Sequence, residues 1–262
     1  MSAQRAIEVW ADWASLGAPR LMGRLSATPS RGREVFSFAY DPTWLKGPHG
    51  GQLDPSLGLY AGPQYPGASQ PNFGMFLDSS PDRWGRVLMA RREAHLARVQ
   101  GRPPRRLLES DFLLGVHDGH RMGALRFRTD GAFLDDDQEL AAPPWTSLAA
   151  LEHACLQLER DDADQDPAYG SWLRLLIAPG SSLGGARPKA SVVDEHGALW
   201  IAKFPSRQDP VDTGAWEAVL HELAGMAGVV TPQGRLQRFQ GPHRTFLIYY
   251  RRICAYHAQN RR

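Results

Sequence analysis

The sequence predicts an α+β protein, with a β-rich N-terminal part followed by a smaller unit built on a hairpin and a helix. Three observations predict it. Before residue 40, short stretches alternate apolar and polar side chains, which is the strand period. At three later places the apolar spacing lengthens to that of a helix. Near residue 195, two strand-like runs flank a DEHG turn and lead into the last of those helices. A chain of 262 residues fits one to two domains. The acidic, proline-containing stretch DGAFLDDDQELAAPPW (130–145) is the natural boundary, giving parts 1–140 and 141–262.

The elements follow in order. IEVWADW, PRLMGRLSA and EVFSFAY read as strands separated by Gly, Pro and Ser turns. Residues 41–75 are irregular and carry Trp44 and Tyr60. In SSPDRWGRVLMARREAHLARV a helix is expected with Ser80 as N-cap and Pro81 at the first helical position. Its buried stripe would be Trp84, Leu88 and Leu96, and GRPPRR would end it. ESDFLLGV suggests a short helix, RMGALRF a strand, SLAALEHACLQLER an amphipathic helix and DDADQDP an exposed linker. The apolar LRLLI then leads into APGSSLGGARPK. ASVVDEHGALWIAKFP reads as the hairpin, and TGAWEAVLHELAGMAGVV as a helix with Thr213 as N-cap and Gly228 near its end. RTFLIYY starts a last strand before a basic tail.

Composition excludes several classes. A net charge of +2 gives no global attraction to nucleic acid or membrane. Cys155 and Cys254 are too few for a disulfide framework or a cysteine-based zinc site. No apolar run reaches 18 residues and the N-terminus lacks a signal-peptide core, so a cytoplasmic protein is expected. Of 30 basic residues only three are lysine: Lys46, Lys189 and Lys203. Two of them flank one glycine-rich segment, and a compact ammonium does not substitute for a guanidinium fork.

That segment carries the main constellation, a glycine loop, a strand lysine and a helix glutamate in that order. Amides of SSLGGARPK can approach phosphate oxygens without interference from a Cβ. Strand alternation puts Lys203 with Leu199 and Ile201 on one face, opposite Trp200, Ala202 and Phe204. A strand lysine over a glycine loop is the kinase way of holding nucleotide phosphates. Glu217, beside the stripe of Trp216, Leu220, Leu223 and Ala227, is placed to orient it. Singly, such glycine turns and strand lysines are commonly structural; the order and spacing are the signal. The loop is not a Walker A sequence.

SSLGGARPKASV, LWIAKFPS and WEAVLHELAGMAGV closely resemble the HipA-like serine/threonine kinases of bacterial toxin–antitoxin modules. SFAYDPTWL, SSPDRWGR and MGALRF resemble that family's N-terminal domain, so the resemblance spans about residues 5–248. It implies a kinase-like small lobe that binds ATP with Mg²⁺ through Ser182, Leu183, Gly184, Gly185, Ala186, Lys189, Lys203 and Glu217. It also implies self-phosphorylation at Ser182, with Ser181 as the alternative, a protein substrate, and a helix-turn-helix antitoxin as partner. The family's catalytic aspartate, in a DGH-type loop ending in Asn, and its magnesium-binding aspartate would lie in a following helical lobe. Neither is present: after Glu222 the chain has no Asp or Glu, and 7 Arg in 40 residues. The expectation is therefore a truncated family member with no catalytic residue and negligible phosphoryl transfer.

Other motifs are read as structural. HDGHR (117–121) mimics the missing loop but lacks its Asn, and a turn is expected there. Asp135, Asp136 and Asp137 read as an exposed acidic loop. The alternative function is a non-catalytic binding module. Arg83, Arg86, Arg91, Arg92, Arg98, Arg102, Arg105 and Arg106 outnumber Asp82 and Glu93, a net +6 that suits DNA phosphates or an acidic partner. A solvated helix in an arginine-biased chain is the plainer reading of that run.

Overall fold

The early alternation becomes three antiparallel strands, β1 (Arg5–Ala11), β2 (Arg20–Ser30) and β3 (Arg33–Tyr40). In the computed structural model, residues 4–48, 51–121, 123–134, 145–177 and 187–250 are described. Ser30 pairs with Arg33, and the two residues between them, Arg31 and Gly32, have φ of 48° and 77°. A two-residue turn with both φ positive matches the twist of its flanking strands, which is why glycine is favoured there. β4 (Leu125–Thr129) and β5 (Ala132–Phe133) complete a sheet ordered β3-β2-β1-β4-β5. Ile7, Val9, Ala11, Leu25, Phe36 and Phe38 bury one face. The short helices α1 (Pro42–Lys46), α2 (Gly74–Asp78) and α4 (Glu109–Leu114) add Trp44, Phe76 and Leu113 to the same core.

The HDGHR segment is part of that core. Asp118–His120 form a single 3₁₀ turn, and the Asp118 and Arg121 side chains are fully buried. Arg121 donates to Asp118 at 2.8 Å and to the carbonyls of Leu113 and Val116 at 3.0 and 2.7 Å. Asp118 also accepts from the Phe127 amide at 3.0 Å. A buried charge is tolerable when paired and hydrogen-bonded in this way.

The second unit holds a four-stranded antiparallel sheet ordered β6-β7-β9-β8. Its strands are β6 (Lys189–Val193), β7 (Leu199–Lys203), β8 (Gly234–Gln237) and β9 (Thr245–Tyr250). Ala190, Val192, Trp200, Ala202, Phe204 and Leu247 form one core with residues of α3 (Arg83–Val99), α5 (Leu148–Leu158) and α6 (Tyr169–Ile177). α3 packs on α6, and α6 on α5. The β6–β7 turn is held by Asp194, which accepts from the amides of His196 and Ala198 and from Trp200 Nε1 at 2.8–2.9 Å. The last helix, α7 (Thr213–Met226), packs against β8 and β9. No helix among the described residues is long and apolar enough to cross a membrane.

Several sequence expectations shift. Asp82, not Ser80, caps α3, because its carboxylate accepts from the Gly85 amide at 3.0 Å while the Ser80 hydroxyl donates to Phe76 O. Leu96 lies outside the buried stripe of α3; Glu93 and Ala97 lie inside it. Asp212 rather than Thr213 caps α7. The DDADQDP linker folds into a 3₁₀ turn that buries Ala163. α3 belongs to the second unit, which joins 82–106 to the residues beyond 139, whereas a single boundary near 140 places it in the first part. Asp135–Asp137, Ser181, Ser182, Leu183, Gly184, Gly185, Ala186 and Cys254 lie outside the described residues.

Candidate functional site

The site is built on the β6–β7 hairpin. Its register sets Lys189 directly opposite Lys203. The adjoining position is closed by the bond from Phe204 N to Pro188 O at 3.0 Å, so the lysines occupy the neighbouring non-hydrogen-bonded pair, where side chains on one face stand closest. Two like charges so placed repel unless each has a counter-charge. Each has one, from a different helix. Lys203 Nζ lies 2.6 Å from Glu217 Oε2 of α7, and Lys189 Nζ lies 2.9 Å from Asp82 Oδ2 at the start of α3.

The two pairs differ in access. The Lys203 and Glu217 side chains are 34% and 27% exposed, whereas those of Lys189 and Asp82 are 4% and 12% exposed. Lys203 can therefore meet a ligand anion at the sheet face while Lys189 is taken up inside the protein. Strand alternation places the other residues as the sequence expects, with Trp200, Ala202 and Phe204 buried and Leu199, Ile201 and Lys203 partly open.

Glu217 is held in place through the first turn of its helix. Asp212 caps α7 at Ala215 N (3.1 Å) and accepts from Arg244 N and Nε at 3.0 and 2.7 Å. That arrangement draws α7 against the start of β9 so closely that a Cβ on Gly214 would lie 2.0 Å from Arg244 O. Burial raises the Asp212 carboxyl's pKa, but its bonds from Arg244 more than offset this and leave it below the ordinary value. On the other side, Arg187 of the GARPK motif forms a fork to Asp209 at 2.9 and 2.5 Å. Asp209 in turn accepts from Ser206 N of the AKFPS motif at 2.8 Å. The residues that make both motifs recognisable thus fix the ends of the hairpin.

Sequence reasoning found Lys203, Glu217 and Lys189 but missed Asp82, Asp209 and Asp212 as their supports. Asp82 is legible as a helix cap; its bond to a lysine 107 positions away is not. The apolar stripe of α7 also stands differently from a core stripe, since Trp216, Leu220 and Leu223 face solvent. The arginine run is partly committed within the protein. Arg102 and Arg105 pair with Glu93, Arg91 donates to Leu158 O, and Arg98 lies 3.7 Å from Asp164. Among the described residues, no three His, Cys, Asp or Glu side chains converge as a metal site.

A four-stranded antiparallel sheet whose exposed lysine is oriented by a helix carboxylate defines an α+β unit suited to holding an anionic ligand. Residues 181–252, which take in the glycine loop and the structure from β6 through β9, match the family model described as HipA-like C-terminal domain. The match covers about a quarter of the chain and supports a HipA-like relationship. No curated protein matches the chain.

Proposed function

We propose that the second unit is a nucleotide-binding unit of the HipA-like serine/threonine kinase kind, acting within a toxin–antitoxin module with a helix-turn-helix antitoxin as partner. Lys203 would contact the phosphates of ATP, Glu217 would hold its ammonium in place, and the loop Ser181–Ala186 would supply backbone amides. Ser182, or Ser181, would be the regulatory phosphorylation site. The carrying observation is the 2.6 Å Lys203–Glu217 pair, a third exposed and inside the segment that matches the family model.

The residues fit the nucleotide better than its metal. An ammonium held by one carboxylate can be shared with a phosphate, as in the strand-lysine and helix-glutamate arrangement of kinases. Magnesium in phosphoryl transfer is held by clustered oxygen ligands, and the described residues bring no such cluster together. The reading therefore assigns nucleotide binding to this chain and routes no transfer step through a metal.

Calorimetric titration with ATP, with and without Mg²⁺, tests it. Binding in the micromolar to millimolar range is expected, weakened at least about tenfold in Lys203→Ala and partly retained in Glu217→Gln. No binding by the unaltered protein, or equal binding by Lys203→Ala, would overturn the reading.

A further inference from the structure

We infer that the outward face of α7 is the contact surface for a second copy of this chain, paired through a two-fold axis. The helix is amphipathic in reverse. Gly214 abuts Arg244, and His221 sets its ring 5.6 Å from Phe246 and its Nε2 2.7 Å from Pro232 O, so the small and polar side is the one seated on the sheet. At 3.6 residues per turn, Trp216, Leu220 and Leu223 fall on the opposite side. They are 60%, 63% and 51% exposed, Met226 is 83% exposed, and Val219, Val229 and Val230 extend the surface.

The size of this face decides that it is more than scattered surface leucines. Those fractions leave roughly 600–900 Å² of apolar side chain open, beyond the largest patch of most monomers and on the scale of one side of a standard interface. It also carries a large aromatic anchor, the residue type that dominates contact energies.

The layout suits a second copy. The stripe at 216, 220 and 223 runs along the helix axis, so an antiparallel two-fold pairing brings Trp216 against the second copy's Leu223, with the axis passing between Val219 and Leu220. A bulky residue then meets a smaller one at both ends, the self-complementarity that an isologous contact requires. Pairing buries no like charges on the stripe. Of the two carboxylates of α7, Glu217 is bound to Lys203 and Glu222 lies off the apolar arc. The inference does not depend on nucleotide binding.

Sedimentation velocity of the full chain, from low-micromolar to ~100 µM, reads the outcome. A reversible monomer–dimer equilibrium is expected. Leu220→Glu should weaken it at least about thirtyfold with an unchanged circular dichroism spectrum, while Val99→Glu, at the exposed end of α3, should leave it unaltered. If Leu220→Glu fails to fold, Trp216→Ser takes its place with the same expectation. A protein that stays monomeric at the highest concentration, a dimer indifferent to both substitutions on α7, or assembly that runs past the dimer would each overturn the inference.

Discussion

Replacing Asp82 by Asn removes one negative charge and leaves most else in place. Asn is as good a helix cap as Asp, so the bond to Gly85 N survives. What is lost is the carboxylate 2.9 Å from the Lys189 ammonium, whose side chain is 4% exposed. Removing one partner of a buried ion pair costs about 3–5 kcal/mol, because the other charge stays buried without it. With Asp82 at 12% exposed, the lower end, about 3 kcal/mol, is expected. Lys189→Met should cost a similar amount. The double variant should cost much less than the sum, since two apolar or neutral groups can replace a buried pair almost without loss. Urea unfolding of the four proteins, followed by tryptophan fluorescence, gives the coupling energy. A loss under about 1 kcal/mol in Asp82→Asn, or strictly additive effects, would refute the assignment of this pair as a buried support of the hairpin.

Two further predictions concern the second unit. Arg102's guanidinium and the Arg105 amide hold the Glu93 carboxyl at about 2, below its ordinary 4.5. A group whose pKa is lowered by folding contributes stability above its unfolded value, and that stability disappears as pH falls through the folded value. The contribution should be full above pH 4.5 and lost toward pH 2, and Glu93→Gln should flatten this part of the acid-unfolding curve. Gly214→Ala should push α7 away from Arg244 and destabilise the protein by about 1–3 kcal/mol in urea unfolding, with weaker nucleotide binding because Glu217 moves with the helix.

The parts legible in the sequence were those set by local order. The strand alternation of residues 199–204 placed Lys203 on the open face, and the helix that follows carried Glu217 to it. β8 went unread because its four residues show no alternation of their own and are placed by pairing with β9. The Asp82–Lys189 bond joins positions with no shared period, so only the tertiary arrangement brings them together. The α7 stripe shows the limit most clearly. Periodicity locates an apolar arc on a helix, but which side meets a neighbour depends on the neighbour. Here the close approach at Gly214 selects the small side. In HDGHR the turn residues were visible, whereas the burial of Arg121 was not, since arginine seldom lies fully inside a protein.

The interleaving of the two units constrains both synthesis and dissection of the chain. On the ribosome, α3 emerges long before its packing partner α6, and the first sheet cannot close until β4 and β5 have followed α3 out. α3 must therefore wait, with Trp84 and Leu88 uncovered, for some seventy residues of further elongation. For the same reason no single cleavage point separates the units whole. A cut near residue 140 leaves α3 on the wrong fragment, and Lys189 parts from Asp82.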